Sequence, residues 1–289
     1  MSRTTLATYL FGYNLDAILY PWREAVASAL ELSDGVYLCC CDDDTLEKAL
    51  DLAEHEPKFH VLEHAWADEY YPPEEQHKYK IQAIIGNYIL GYIATHYDYA
   101  LKLDADEVLH EGSFEEFRRE MEWMKRNDVV LARPHYTHFI DEHTEFDFIY
   151  RTRAVISQCR AGLRFSLGRG GDACALGGAP EFQTSLEIAH YGKYAVGRER
   201  EAILKEFSFQ QNYTALGFPD PLVVKQFEGQ GYADYHKIFH VAKGLGQFRQ
   251  YSGSHPKFIQ KWIEDSKLRS EEFWSKLKLS QSNAAVNTT

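Results

Sequence analysis

Two hydrophobic periods organise the first 110 residues of the chain. Residues 4–11, 35–41 (GVYLCCC) and 59–65 are short apolar runs that predict buried strands. Between them lie amphipathic stretches. Pro21 suits the first turn of a helix over 21–32. Asp44-Thr45-Leu46-Glu47 has capping-box spacing and predicts a helix to about residue 54. Ile81, Ile84, Ile85, Tyr88, Ile89, Tyr92 and Ile93 form the apolar stripe of a longer helix over 74–96. A strand over 99–103 runs into Asp104-Ala105-Asp106-Glu107, and Ser113-Phe114-Glu115-Glu116 is a second capping box, opening a helix to about 126. Strands separated by helices predict parallel βαβ units in a doubly wound sheet. Ligands of such sheets sit beyond the carboxyl ends of the strands. The acidic groups at 42–44 and 104–106 both follow a strand and are expected on that one rim.

Past residue 128 the pattern changes. Residues 129–139 and 146–157 read as two strands joined by the polar turn Asp141-Glu142-His143-Thr144. Residues 162–180 hold a Gly-rich loop (LGRGGDACALGGAP), 187–191 a short strand, and 198–213 and 256–278 two helices. The last ten residues (SQSNAAVNTT) read as a disordered tail. The domains expected are therefore 1–195, with halves 1–110 and 111–195, and a helical extension over 196–289.

Charge sharpens this division. Residues 1–150 carry 30 acidic and 12 basic side chains, net −18; residues 151–289 carry 13 and 19, net +6. A basic second half suits a phosphorylated donor or an anionic acceptor. The five Cys are odd in number, and Cys39, Cys40 and Cys41 are consecutive, so strand neighbours point to opposite faces and do not pair. Reduced thiols are expected, with a cytoplasmic location. No stretch reaches the roughly 18 uncharged apolar residues of a membrane span, and the first ten residues lack the basic start and apolar core of a signal peptide.

A strand that ends in two carboxylates one residue apart offers hard oxygen ligands to a divalent cation, with coordination positions left for a diphosphate. Such a cation neutralises charge on a departing nucleoside diphosphate. The first 110 residues resemble a GT-A-fold glycosyltransferase of the family-2 type. The resemblance is carried by the N-terminal strand with Asn14 beyond it, the helix from Pro21, Leu32-Ser33-Asp34-Gly35-Val36 leading into a strand, the acidic turn Asp42-Asp43-Asp44-Thr45, and Lys102-Leu103-Asp104-Ala105-Asp106-Glu107. It implies a mixed, mostly parallel sheet flanked by helices. It also implies a donor site at Asn14, Asp42 and Asp44, and metal and diphosphate at Asp104 and Asp106. The Gly and Ser of the family's usual turn are Asp here. Ile188-Ala189-His190-Tyr191-Gly192 resembles the family's terminal His-Tyr strand, which implies His190 as a third metal ligand, with Mn2+ or Mg2+ as the ion.

Inversion at the anomeric carbon, which the resemblance also implies, needs one general base on the acceptor hydroxyl. Asp172, eighteen residues before His190, is the first candidate, Glu181 the second and Asp141 a distant third. Arg151, Arg153, Arg160, Arg164 and Arg169 lie in an acid-free stretch; Arg151 and Arg153, on a strand, are the candidates to hold the diphosphate. His135 and His138, three apart on a strand, face opposite sides and read as structural. The expected activity is an inverting, metal-dependent hexosyl transfer from a nucleoside-diphosphate sugar, UDP-linked, to a saccharide or glycolipid hydroxyl. Alternatives are transfer to hydroxymethylated bases in DNA, as in bacteriophage enzymes, a non-catalytic nucleotide-sugar binding module, and a nucleotidyltransferase. The DNA alternative places its basic face on Arg160, Arg164, Arg169, Lys257, Lys261, Lys267 and Arg269.

Overall fold

The computed structural model describes residues 3–64, 78–148, 156–162, 164–165, 181–192, 194, 196–197 and 246–286. Within them ten strands form one mixed sheet. Strands β1 (Leu6–Gly12), β2 (Gly35–Cys40), β3 (Phe59–Glu63) and β4 (Tyr99–Lys102) are parallel, in the order β4-β1-β2-β3. Helices α1 (Trp22–Leu32), α2 (Asp43–Ala53) and α3 (Lys78–Ile93) make the crossovers. This is the α/β architecture the hydrophobic pattern predicts. Beyond β4 the sheet turns antiparallel through β8 (Ile156–Gln158), β6 (Leu131–Asp141), β7 (Thr144–Phe148) and β10 (Gly246–Gln250). Strand β9 (Glu181–His190) runs parallel to β6, and the short β5 (Glu107–Leu109) pairs antiparallel with β9.

Strand alternation splits the core into two layers. Leu6, Leu10, Leu38 and Cys40 face the side packed by α1 and α4 (Phe114–Arg126), with Trp22, Phe117 and Met124. Ala7, Tyr9, Phe11, Cys39 and Cys41 face the side packed by α3, with Ile85 and Ile89. The Cys triplet thus alternates as expected, and the four described Cys are free and buried. Helix α1 buries Trp22, Ala25, Val26, Ala29 and Leu32, the spacing of a single helical face. Among the described residues no helix is long and apolar enough to cross a membrane.

Several boundaries differ from the sequence expectation, each for a local reason. Helix α2 is capped by Asp42, whose Oδ1 accepts from Thr45 N–H at 2.9 Å, so the helix starts before the Asp44 box. Ser113 makes no side-chain cap for α4: its hydroxyl donates to the His110 carbonyl and accepts from Glu187 N–H. The stretch 146–157 holds two strands, β7 and β8, which pair with different parts of β6. The two-residue turn Glu142-His143 does close the hairpin, with His143 N–H donating to Asp141 Oδ1. Helix α5 (Gln260–Val286) runs on to Val286, through most of the tail read as disordered. Strand β10 and the start of α5 also belong to the main body. Ile259, Trp262 and Ile263 share a buried cluster with Val108, Phe139, Ala189, Tyr191 and Tyr194. The start of the expected helical extension is thus packed against residues before 195. The second expected helix, 198–213, lies outside the described residues.

His255 sits in this joint. Its Nδ1 pairs with the Tyr191 hydroxyl at 2.8 Å and its Nε2 with the Glu142 carbonyl at 2.9 Å. Burial is the largest influence on it and lowers its pKa below the usual 6.5, against the opposing pull of Glu142. The unfolded chain then takes up the proton first as pH falls. His255 contributes stability that is present above about pH 6.5 and is lost as pH drops through the lowered value. The melting temperature should fall between pH 7 and pH 5, and His255→Gln should flatten that fall. An unchanged slope in thermal scans would remove His255 from the acid limb.

Candidate functional site

The site is built at the carboxyl end of β4. Asp104-Ala105-Asp106-Glu107 forms a turn in which Glu107 N–H donates to the Asp104 carbonyl at 3.0 Å and Asp104 N–H donates to Glu107 Oε2 at 2.8 Å. The turn leads straight into β5, and pairing of β5 with β9 places Glu107 opposite His190. Tyr191 N–H donates to the Asp106 carbonyl at 2.7 Å, which closes the arrangement. One ligand atom each from Asp106, Glu107 and His190 lies within 4.8 Å of the others, and all three residues are buried. His190 Nε2 is 3.6 Å from Asp106 Oδ2.

Electrostatics make this cluster costly without a cation. Glu107 is fully buried, and burial first, then the neighbouring Asp104 and Asp106, pushes its pKa well above the carboxylate range, with Lys102 opposing. Its Oε1 has no hydrogen-bond partner. A divalent ion supplies what this donor set lacks, a positive charge and an acceptor for the orphaned oxygen lone pair. Two carboxylates and one imidazole are a hard-to-borderline set that fits Mn2+ or Mg2+.

Gly192 completes the enclosure. A methyl group built there would collide with Asp106 Oδ2 and crowd the His190 ring. Gly192→Ala should displace the Asp106 carboxylate, costing about 1–3 kcal/mol of overpacking strain and weakening Mn2+ binding at least tenfold. Titration by electron paramagnetic resonance beside a thermal melt checks both, and wild-type Mn2+ affinity in the variant would refute it.

The other expected donor and metal residues sit as follows. Asp104 is not one of the three clustered groups; its Oδ1 accepts from Lys102 Nζ at 2.8 Å, and Lys102 also lies 5.7 Å from the Phe11 ring centroid. Asn14 follows β1 with a positive φ of 53°, and its N–H donates to Asp42 Oδ2 at 2.7 Å. Both Asp42 oxygens are thus engaged by backbone amides, one across to the β1 loop and one at the helix cap. Asp42 ties the loop after β1 to the start of α2. Asp44 is exposed and pairs with Lys48, which also reaches Asp16.

The acceptor-side assignments resolve unevenly. Glu181 opens β9 and His190 ends it. Nine residues of strand put the two roughly 30 Å apart. Asp141 ends β6, and its Oδ1 holds the hairpin turn. Asp172, Arg151 and Arg153 lie outside the described residues.

Two residues join the site that sequence reasoning did not assign. Glu107 stands in the cluster, and its signal was available: a third acid directly after the DxD. His138, read as structural, faces His190 across the β6–β9 ladder, with Nδ1 to Nδ1 at 3.1 Å. It also stacks on Tyr136 at 5.8 Å and lines a groove of about 480 Å³ along β6 with Arg133, Phe146 and Arg249.

Among the described residues, four members of the basic face expected for DNA pair with acids. Arg160 pairs with Asp128, Lys257 with Glu31, Lys261 with Asp265 and Lys267 with Glu142. Phosphate contacts would have to displace these acids, and nothing in the described surface favours a nucleic-acid acceptor.

No family model and no curated protein matches the chain. Solved structures share part of its shape. S. aureus TarS 1-349 is 8% identical, covers 83% of this chain and 74% of its own, and has a TM-score of 0.43. The 4-diphosphocytidyl-2C-methyl-D-erythritolsynthase of Anaerococcus prevotii DSM 20548 is 8% identical over 73% of this chain and 100% of its own, at 0.39. HddC from Yersinia pseudotuberculosis is 9% identical over 70% and 97%, at 0.35.

Proposed function

We propose that this chain is a metal-dependent glycosyltransferase that takes a hexosyl group from a nucleoside-diphosphate sugar, UDP-linked, and inverts it onto a saccharide or glycolipid hydroxyl. The observation that carries the reading is the buried Asp106–Glu107–His190 cluster at the carboxyl end of a parallel sheet, where open α/β sheets bind ligands. Asp106, Glu107 and His190 would hold Mn2+ or Mg2+. The ion's chemistry there is to neutralise charge on the departing nucleoside diphosphate.

The chain's own residues supply the rest. Lys102 holds Asp104 through its Oδ1, and Asp104 is assigned to the ribose or the diphosphate. The Asn14–Asp42 link braces the loops after β1 and β2 against the nucleoside. Arg151 and Arg153 are assigned to the diphosphate. Asp172 is assigned as the general base, receiving the proton of the acceptor hydroxyl as that oxygen attacks the anomeric carbon.

The deciding experiment is a panel of nucleotide sugars assayed for Mn2+-dependent hydrolysis, with and without chelator. Hydrolysis of one donor, abolished by chelator, supports the reading; no turnover and no donor binding across the panel would overturn it. Asp172→Asn should then bind donor normally and lose transfer by roughly 10²–10⁴, the usual worth of a general base. Transfer at the wild-type rate in that variant would return the base to another residue.

A further inference from the structure

The contact between His138 and His190 goes beyond metal ligation itself. Two Nδ1 atoms 3.1 Å apart share one proton: one ring donates and the other accepts. The rings meet edge to face, centroids 4.6 Å apart, in a half-buried pocket where β6 and β9 run in register at His138 and His190. His190 turns its other nitrogen, Nε2, toward Asp106. A metal on Nε2 requires that nitrogen to be unprotonated, so the His190 proton must sit on Nδ1 and be donated to His138 Nδ1. His138 is then neutral with its own proton on Nε2.

We propose that His138 is a positioning residue that locks His190 in the metal-binding tautomer, and that through the same proton it presents an N–H donor on the side away from His190. The inference rests on the metal reading of the Asp106–Glu107–His190 cluster. It also bears on the acceptor side. His138 lines the groove along β6, and in the locked state its Nε2 donates and does not accept. It therefore cannot serve there as the base, and that role stays with a carboxylate. Tyr136 stacks on His138 at an interplanar angle of 18°.

The test uses the full chain and Mn2+ as the probe, followed by electron paramagnetic resonance. Outer partners of ligating histidines are typically worth 10–100-fold in metal affinity. His138→Phe keeps the ring and loses both nitrogens, and should weaken Mn2+ binding by about that factor. His138→Gln offers an amide oxygen to the His190 Nδ1 proton and should recover most of the loss. A purely structural role predicts the reverse, with Phe milder than Gln. In wild type, ¹⁵N spectra of labelled histidine in Mg2+ should show His190 protonated on Nδ1 and His138 on Nε2, and the His190 signature should be lost in His138→Phe. Wild-type Mn2+ affinity in His138→Phe, with Asp106→Ala strongly weakened, would overturn this proposal alone. Equal affinity in wild type and Asp106→Ala would overturn the metal reading and this proposal together.

Discussion

Asp106→Ala should abolish the proposed metal-dependent turnover and leave the fold intact or slightly more stable. Losing a ligand forfeits the several kcal/mol of charge stabilisation a bound cation gives the leaving group, and each 1.36 kcal/mol is tenfold in rate. The expected drop is therefore on the order of 10³ or more. The stability half of the prediction comes from the same geometry. Without a cation, Asp106 is one of two acids whose charge pushes the buried Glu107 toward its protonated form. Removing Asp106 relieves that repulsion. Wild type should gain stability on adding Mn2+, about 2.7 kcal/mol at a hundredfold excess over Kd, and Asp106→Ala should not. Glu107→Gln should likewise fail to gain stability from Mn2+, since an amide oxygen can still accept from Asp104 N–H but offers a cation no carboxylate charge. Full turnover of Asp106→Ala, or wild-type turnover in chelator, would show that the cluster is a structural knot and not a metal centre.

The parallel half was legible because its strands and helices announce themselves locally. Runs such as GVYLCCC and the α1 face of Trp22, Ala25, Val26 and Ala29 fix element type within a few residues. What failed depends on partners distant in sequence. Strand β10 (GQFRQ) is a polar edge strand that exists because it pairs with β7 about a hundred residues earlier. Strand β5 is three residues long and is held by β9. The Ser113 hydroxyl, free to cap in an isolated helix, is taken by Glu187 N–H. The candidate site divides the same way. The DxD and His190 carry their chemistry in their residue types. The burial of Glu107 depends on β9, which pairs with β5 from about eighty residues later in the chain. Alternation correctly put His135 and His138 on different faces, yet it is silent on cross-strand neighbours, and the His138–His190 register spans 52 positions.

Trp262→Ala should cost about 3–5 kcal/mol, the usual penalty for emptying a buried aromatic site. That is a large share of the 5–15 kcal/mol that holds a typical domain together. Trp262 is 8% exposed. Its ring meets Tyr194 at 5.2 Å and Tyr191 at 5.9 Å. Tyr191 in turn follows His190, donates its N–H to the Asp106 carbonyl, and shares a hydrogen bond with His255. The cavity left by Trp262 therefore opens directly behind the strand end that carries His190. Mn2+ affinity should fall together with stability, although Trp262 contacts no candidate ligand. Further along the same helix, Lys276 is exposed and only pairs with Glu272 one turn away; Lys276→Ala should stay within about 0.5 kcal/mol of wild type. Urea unfolding of both variants, followed by Mn2+ titration of each folded form, separates the two outcomes. If Trp262→Ala stays within about 1 kcal/mol of wild type, too little to be the loss of a core aromatic, the packing of the C-terminal helix on Tyr191 and Tyr194 contributes little to the fold. If the full cost and the metal effect appear together, the C-terminal helix is a wall of the active site.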